Sequence, residues 1–517
     1  MEVFLNVIYY LALFIIFLFS LTQLYLMLVY VFRQRTRPRS LPIVWAALPR
    51  LTIQLPVYNE LYVIDRLIDA VANLHYPADK LDIQILDDST DETTARIARK
   101  LLAYGRLGIR MEHICRPERT GFKAGALAYG LPRAKGDFIA IFDADFIPDS
   151  DFLLRALPGF DRPDIAVVQT RWLHLNEAYS LLTQIQSLGL NAHFLVEQTA
   201  RSSAGLFLNF NGTAGIWRKE AILDAGGWQS DTLTEDLDLS YRAQLKGWKI
   251  IYRDDIGVPA ELPVTMNAIR SQQYRWMKGP AECARKLLGS ILPARNASVG
   301  KKLLAVFHLL NSSLFIVILT MALVSVPVLY LRHQYPNPAW LNALNSVSGL
   351  FIIASVVSLF FWGIPFFQNK SGQLRTGQTA SDESWLRKGI RFLWLYPVFL
   401  AVMLGLSLHN SLAVIEGLLG IKTPFVRTPK FNLSATSNRW EDNVYEKPAF
   451  SWLLLGEIGL AFYFGLGVML GLYEHDYTML SFHGLLTVGF GLVASYTLIH
   501  GWAVHDPVAE SVAVPLV

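Results

Sequence analysis

Long apolar blocks at both ends of the chain enclose a polar middle. The first, Val3 to Phe32, is longer than the ~20 residues that a helix needs to cross a bilayer. It lacks the basic start and the small-residue cleavage site of a signal peptide, so it predicts a membrane anchor. Charged residues concentrate between Arg33 and Lys302, which predicts one soluble domain among membrane helices. Further apolar runs follow this domain: Leu303 to Leu331, Leu344 to Phe367, Phe392 to Leu419, Ser451 to Tyr473 and Thr478 to Val504.

Basic residues beside these runs predict the orientation of the chain in the membrane. Arginines follow the first run and lysines precede the second: Arg33, Arg35, Arg37, Arg39, Lys301 and Lys302. By the positive-inside rule the polar block is cytoplasmic and the N-terminus lies outside. The run from Phe392 to Leu419 has basic residues on both flanks and polar residues in its middle. We therefore expect it to lie along or dip into the cytoplasmic interface, which leaves five spans; six spans is the alternative.

The predicted multi-pass organisation has six parts. They are an N-terminal membrane helix (1–33), a cytoplasmic domain with interfacial helices (34–300), two membrane helices (301–369), a cytoplasmic interfacial helix with a loop (370–450), two further membrane helices (451–504) and a short tail (505–517). The net charge of +4 is small and its excess lies at membrane edges, which favours lipid headgroups over nucleic acid as a partner. Cys115 and Cys283 have no metal-ligand or disulfide spacing, so we expect incidental reduced thiols.

Strand and helix patterns alternate in the polar block. The stretches LTIQLPVYNE, LDIQILDDSTDE and DFIAIFDAD each predict a short apolar strand. Ser89 and Glu92 have the spacing of a capping box that opens the helix after the second strand. This alternation predicts an α/β domain with a mainly parallel sheet, in which ligands bind beyond the carboxyl ends of the strands.

Four carboxylates lie at those strand ends. Asp87 and Asp88 end one strand, and Asp143 and Asp145 end another. A divalent cation offsets their repulsion, because hard oxygen ligands bind Mg²⁺ or Mn²⁺, and such an ion usually bridges to substrate phosphates. A DxD pattern alone can equally cap a turn, so the metal hypothesis depends on the other motifs of the chain.

Two later motifs give these carboxylates a context. LTEDLDLSYRAQLKGW places Glu235 and Asp236 at a predicted helix start, and SQQYRWMKG contains a QxxRW string. In chain order, Asp88, the DxD pair, Asp236 and QxxRW resemble the signature of the membrane-bound family 2 glycosyltransferases. This group includes the cellulose, chitin, hyaluronan and mannan synthases.

Shorter motifs narrow the resemblance. QLPVYNE, LDDSTD, KAGAL, FNGTAGIWR and ELP look most like the plant glucomannan/mannan synthase branch of the cellulose synthase-like proteins and its bacterial relatives. FVRTPK, Phe425 to Lys430, is similar to the gating loop FxVTxK of cellulose synthases, with Arg427 where that pattern has Val. The departure leaves the nucleotide contacts of this gating-like loop open at that position.

The resemblance implies a GT-A fold and a processive, inverting hexosyltransferase. Such an enzyme transfers hexose from UDP-glucose or GDP-mannose to a growing β-glycan, here by resemblance β-1,4-linked, and passes the product across the membrane. Two alternatives stay open: transfer of one sugar to a lipid acceptor, and a catalytically inactive scaffold or export subunit. Export or regulatory subunits are possible partners, and no residue distinguishes guanine from uracil.

The resemblance also assigns roles to individual residues. Asp236 is the expected general base, because a positioned carboxylate can accept the proton of the attacking hydroxyl. Asp143 and Asp145 are the expected ligands of Mg²⁺ or Mn²⁺. The donor-binding set is Asp87, Asp88, Lys123, Asp143 and Arg275. The acceptor-binding set is Gln272, Trp276, Glu235, Asn211, Gly212 and Thr213, and the gating-like loop contributes Phe425, Thr428 and Lys430.

Simpler explanations remain for several of these residues. Glu235 and Asp236 can be helix N-terminal acids favoured by the macrodipole, and for Glu235 this is the preferred explanation. Trp276 can be an aromatic anchor at the membrane interface. Lys123 can be a solvated helix residue, and a tight turn can account for the Asn-Gly-Thr sequence that begins at Asn211.

Overall fold

The computed structural model describes residues 2–34, 48–334, 349–368, 384–433, 440, 443–445 and 451–503. The predictions for the basic residues at 35–39 and for the tail at 505–517 lie outside the described residues. The first helix, α1, covers Glu2–Gln34.

Strands of the described chain form a single sheet. They are Leu51–Val57 (β1), Leu81–Asp87 (β2), Glu112–Cys115 (β3), Phe138–Ile141 (β4), Ile165–His174 (β5), Gly215–Arg218 (β6) and Lys249–Ala260 (β7). Their order is β3-β2-β1-β4-β6-β5-β7. Only β6 runs antiparallel to its neighbours β4 and β5, so the predicted mainly parallel sheet is confirmed.

Helices cover both faces of this sheet. In the soluble domain they are Ile64–Ala72 (α2), Thr93–Arg106 (α3), Phe122–Gly130 (α4), Phe152–Ala156 (α5), Leu181–Ala192 (α6), Thr199–Ser203 (α7), Lys219–Asp224 (α8), Glu235–Leu245 (α9), Met266–Ile291 (α10) and Val299–Leu309 (α11). A π-helix, His193–Gln198, joins α6 to α7. Because the central strands are buried on both sides, β1, β2 and β4 consist mostly of apolar residues.

The position of β1 sets where the acidic residues meet. It lies between β2 and β4 and is parallel to both, with Val57 opposite Asp87 and Gln54 opposite Ile141. The carboxyl ends of the three strands therefore reach the same rim of the sheet. The Asp87–Asp88 and Asp143–Asp145 pairs come together there because of this register.

The capping box predicted at Ser89 is wrong. The helix begins at Thr93, after Glu92, and no side chain of Glu92 caps it. Ser89 Oγ instead accepts a hydrogen bond from the backbone N–H of Asn59, 2.9 Å away. Asp91 Oδ1 accepts a hydrogen bond from the N–H of Thr93 at 2.9 Å, in the first turn of the helix. Ser89 does not cap the helix because its hydroxyl bonds to the loop after β1 instead.

Six helices are long and apolar enough to cross a membrane: Val3–Phe32, Asn311–Gln334, Gly349–Gln368, Trp385–Gly405, Trp452–Tyr473 and Leu480–Ala503. This finding rests on length and composition within the described residues. The helices after the soluble domain are Leu314–Gln334 (α12), Gly349–Gln368 (α13), Trp385–Gly405 (α14), Ser407–Leu419 (α15), Trp452–Tyr473 (α16) and Leu480–Ala503 (α17).

Helices α14 and α15 meet at Leu406 and form an open hairpin whose arms pack on other helices. Its turn lies inside the helix bundle, because Leu404 and Leu408 pack with Phe464 and Phe490. At its start, Trp385 stacks on Phe367, the penultimate residue of α13. Near its turn, Gly405 lies against Gly489, which is in the middle of α17. On the return, Glu416 pairs with Lys278 of α10 at 3.1 Å. The packing thus agrees with a segment that dips in and returns, although the length of α14 alone would give a sixth span; the number of spans stays a prediction.

Close backbone packing at the hairpin turn makes a stability prediction. A methyl group on Gly489 would lie 2.0 Å from the carbonyl oxygen of Ala401, so Gly489→Ala forces the helices apart. Overpacking of this kind costs ~1–3 kcal/mol, and we expect a lower midpoint of thermal unfolding in detergent. Gly491→Ala, on the same helix with no atom within 4 Å, is the matched control and should not lower it. Equal midpoints for the two variants would contradict the described docking of the hairpin.

Candidate active site

A cavity of about 210 Å³ opens at the carboxyl ends of the central strands. Fourteen of the predicted site residues line it: Asp88, Lys123, Asp143, Asp145, Asn211, Gly212, Glu235, Asp236, Gln272, Arg275, Trp276, Phe425, Thr428 and Lys430. They come from the rim of the sheet, from helices α4, α9 and α10, and from the gating-like loop that follows α15. The fold therefore brings these distant motifs together around one cavity.

The two acids of the DxD pattern each face an ammonium group. Asp143 Oδ1 lies 2.6 Å from Lys123 Nζ, and Asp145 Oδ2 lies 2.7 Å from Lys430 Nζ. Both carboxylates offer hard oxygen atoms of the kind that Mg²⁺ and Mn²⁺ prefer. Because long lysine side chains can move aside, Asp143 and Asp145 would fit a divalent cation.

Asp236 lies beside the turn at Gly212. The backbone of Gly212 is left-handed, with φ +81°, and a Cβ atom there would lie 2.9 Å from Asp236 Oδ2. The carbonyl oxygen of Gly212 accepts a hydrogen bond from Lys123 Nζ at 3.0 Å. Glycine at this position therefore leaves room for the Asp236 carboxylate and orients the lysine that pairs with Asp143.

Two predicted site residues lie outside the cavity lining. Asp87 is buried, and its carboxylate accepts hydrogen bonds from the Ser89 N–H at 2.9 Å and the Thr94 hydroxyl at 2.8 Å. Thr213 is fully buried, and its hydroxyl accepts the N–H of Asp143 at 2.9 Å. Thr213 therefore holds the backbone of the DxD pattern from behind.

The gating-like loop lies across the cavity. Phe425 stacks on Phe122 with ring centroids 5.5 Å apart, and the guanidinium of Arg275 lies 4.8 Å from the Phe425 ring. Arg275 Nη2 donates to Thr428 Oγ1 at 2.7 Å. The QxxRW arginine thus connects the loop to the helix that carries Gln272 and Trp276.

Sequence reasoning missed two charged partners at the same rim. Arg427 donates to both carboxylate oxygens of Glu60, at 2.9 and 2.7 Å. The arginine that replaces the valine of the cellulose synthase loop pattern therefore forms an ion pair with Glu60 in this protein. Arg116 Nε donates to Asp88 Oδ1 at 2.9 Å. Glu60 follows β1 by three residues, so the rule that found the other rim carboxylates could have found it as well.

A second cavity, of about 340 Å³, meets the first one at Asp236. Asn211, Gln272 and Trp276 also line both. Its walls are mostly apolar and aromatic, with Trp362 of α13 and Phe399 of α14 among them. The cavity therefore extends from the predicted base towards the membrane helices.

A polar group at this junction has an unused donor. The Nδ2 atom of Asn211 is buried and donates no hydrogen bond within the described part of the chain. Its Oδ1 atom lies 3.2 Å from Nε2 of His193, in the π-helix, and His193 Nδ1 lies 3.0 Å from Glu197. Single π-helical turns often occur at functional sites, and this one orients the Asn211 amide. A rotation of this amide towards the cavity would present the donor to an entering hydroxyl group.

The electrostatics of the cavity favour a base at Asp236. Loss of water and the neighbouring Glu235 carboxylate raise the pKa of Asp236, while the Lys123 ammonium opposes part of this rise. Burial also raises the pKa of Glu235, against the charge of Lys123. A carboxylate with a raised pKa is a stronger proton acceptor at neutral pH than an ordinary aspartate.

Comparison with known families identifies the soluble domain. Residues 49–279 match the family model described as "Glycosyltransferase like family 2". The chain carries a family 2 glycosyltransferase domain. The predicted GT-A fold, with apolar helices flanking the domain, is confirmed.

The glycosyltransferase domain has curated plant relatives. The chain is 38% identical over 343 residues to "Glucomannan 4-beta-mannosyltransferase 7" of Arabidopsis thaliana, covering 64% of this chain and 61% of that protein. It is 45% identical over 276 residues to "Probable glucomannan 4-beta-mannosyltransferase 4" of Oryza sativa subsp. japonica, covering 52% and 50%. The chain thus spans between half and two thirds of the length of these relatives.

A solved mannosyltransferase from Pyrobaculum calidifontis, in complex with GDP-Man and Mn²⁺, is also similar. It is 19% identical, with a TM-score of 0.44, and the match covers 74% of this chain and 99% of that one.

The raised pKa of Asp236 predicts a pH dependence of transfer. As the predicted base, Asp236 must be deprotonated to accept a proton, so activity should rise with pH through the pKa of Asp236 in the complex. Glu235→Gln removes a like charge next to it and therefore lowers that pKa. We expect the acid limb of the rate profile to move to lower pH in this variant. An acid limb that stays in place or moves to higher pH would show that Glu235 does not raise the pKa of Asp236.

Proposed function

We propose that this protein is an inverting, processive β-glycan synthase that transfers mannose from GDP-mannose to the 4-hydroxyl of a growing chain. One observation carries the proposal: Asp236 lies where a cavity rimmed by carboxylates and cations meets a second cavity lined by aromatic side chains. The names of the plant relatives support mannosyl transfer and favour GDP-mannose over UDP-glucose.

Each half of the site has a distinct task in this reaction. On the acceptor side, Asp236 takes the proton of the attacking hydroxyl, and the free Nδ2 donor of Asn211 orients that sugar. Trp276 offers a flat apolar face on which a pyranose ring can stack. On the donor side, Lys123 and Arg275 stabilise the charge that develops on the leaving diphosphate. Asp143 and Asp145 would hold a divalent cation, which would supply further charge neutralisation for that group.

The membrane helices support a polymeric product. The second cavity continues from Asp236 to α13 and α14, so a chain extended at the site has a route between membrane helices. The hairpin of α14 and α15 returns to the catalytic domain and continues into the gating-like loop. The segment that lines the proposed product route is therefore directly connected to this loop. We propose that the product leaves along this route and that the catalytic domain faces the cytoplasm.

Transfer of a single sugar to a lipid is the second candidate function. The apolar lining of the second cavity favours it, because Leu182, Ile185 and Val402 offer a surface suited to an acyl or prenyl chain. The two functions share Asp236 and the donor site, and they differ in what the second cavity holds.

A turnover assay decides between these functions. The full-length protein in lipid nanodiscs receives radiolabelled GDP-mannose or UDP-glucose with Mn²⁺ or Mg²⁺, and products are separated by solvent extraction and size. We expect polymer from GDP-mannose that a β-1,4-mannanase degrades. Asp236→Asn should lower the rate by about 10²- to 10⁴-fold, the usual contribution of a general base.

Other outcomes of this assay have definite meanings. Label in one small lipid-soluble product would establish the lipid acceptor instead. Polymer from UDP-glucose would keep the synthase and overturn the donor. No transfer from either donor with either ion would overturn both functions.

The contact between Lys430 and Asp145 makes a separate prediction about the metal. The ammonium group occupies the carboxylate oxygen that a cation needs, so Lys430→Met should tighten Mn²⁺ binding several-fold in the absence of nucleotide. Lys422→Met, in the same loop but bonded to the carbonyl oxygen of Asp231, is the matched control. Electron paramagnetic resonance of free Mn²⁺ measures the affinity. Unchanged binding in Lys430→Met would show that the lysine does not compete with the ion.

A further inference from the structure

Three potential metal ligands meet at the open edge of the sheet, on strands β2 and β3. Asp87, His113 and Cys115 each place one ligand atom within 4.8 Å of the other two. His113 and Cys115 are two residues apart on β3, so their side chains lie on the same face. Cys115 pairs directly with Asp87 across the strands. The parallel register thus brings a carboxylate, an imidazole and a thiol to one point.

The distances suit a tetrahedral ion with sulfur and nitrogen ligands. Cys115 Sγ lies 3.6 Å from His113 Nε2, and two such ligands on a tetrahedral Zn²⁺ are about 3.5 Å apart. His113 Nε2 lies 2.9 Å from Asp87 Oδ2, so this pair would have to open by about half an ångström to share the ion. The required movement is within reach of one χ rotation at the exposed strand edge.

The imidazole of His113 stands between the other two ligands. A single atom, Nε2 of His113, faces both the Asp87 carboxylate and the Cys115 sulfur. That nitrogen carries either one proton or one lone pair, so it can serve one of the two neighbours fully and not both. A cation bound between the three ligand atoms would contact all of them at once.

The surroundings match those of a metal centre. Asp87 is held by the Ser89 N–H and the Thr94 hydroxyl, and ligating carboxylates are typically fixed by such outer hydrogen bonds. Cys115 is exposed, so water can supply a fourth ligand. The sequence prediction of an incidental thiol considered only cysteine spacing, whereas the partners here are a histidine and an aspartate.

We propose that Asp87, His113 and Cys115 form a binding site for a thiophilic divalent cation of the Zn²⁺ class, separate from the all-oxygen site at Asp143 and Asp145. Thiolate and imidazole select such ions over Mg²⁺. The site braces the donor cavity, because Asp88 and Arg116, which pair with each other, directly follow Asp87 and Cys115 in the chain. The proposal does not depend on the transferase function.

Cobalt spectroscopy tests the site without any activity measurement. The metal-free, full-length protein in detergent is titrated with Co²⁺, and we expect one equivalent to give a sulfur-to-cobalt charge-transfer band with tetrahedral d–d bands. Cys115→Ser should abolish the charge-transfer band. Cys283→Ser is the matched control, since it removes the other, buried cysteine and should keep the spectrum. Asp145→Asn should also keep it.

A second variant distinguishes the loss of a metal ligand from misfolding of the protein. His113→Gln keeps a side-chain donor for Asp87 but loses the imidazole, so it should keep the thermal unfolding midpoint while binding Co²⁺ at least tenfold more weakly. No charge-transfer band in the wild-type protein, or a band that persists in Cys115→Ser, would overturn the proposal. Wild-type affinity in His113→Gln would overturn it as well.

Discussion

Mutual repulsion between carboxylates at one rim of the sheet is the constraint on which the rest of the site depends. Two such charges about 4 Å apart repel each other by about 4 kcal/mol even at an effective dielectric constant of 20. Three of these acids have a cationic partner from another segment: Asp143 has Lys123, Asp145 has Lys430, and Glu60 has Arg427. These ion pairs form only when helix α4 and the loop after α15 are both in place.

The rim could be predicted because the ends of the short apolar strands can be recognised in the sequence. Short apolar strands that alternate with helices imply a parallel sheet, and parallel strands bring their carboxyl ends to one edge. This rule predicts that Asp88, Asp143 and Asp145 lie at the rim. Their partners were harder to find, because a salt bridge between Arg427 and Glu60, which are 367 residues apart, leaves no local pattern.

Predictions from local sequence patterns were also wrong where a tertiary contact determined the structure. Ser89 and Glu92 have the spacing of a capping box, yet a bond from Asn59 takes the serine hydroxyl. Strand β3 has only four residues, EHIC, and alternates too little to be recognised. The grouping of Cys115 with His113 and Asp87 was therefore not visible from the chain alone. Likewise, the length of α14 favours a span, whereas its contacts with Phe367 and Gly489 agree with the predicted segment that dips in and returns.

The docking of this hairpin has a consequence for biosynthesis. Its turn, at Gly405, packs on Gly489 of the helix Leu480–Ala503, and the same helix accepts the N–H of Met266 through His500. Both contacts join the QxxRW helix and the gating-like loop to a segment that the ribosome makes more than 50 residues after the loop. While the chain is being translated, the domain can bury its own core and the hairpin can already pack on α10 and α13, but the surface at Gly489 against which its turn lies has not yet been made. The turn of the hairpin and the start of the QxxRW helix therefore gain these last contacts only after every residue that lines the cavity has been made.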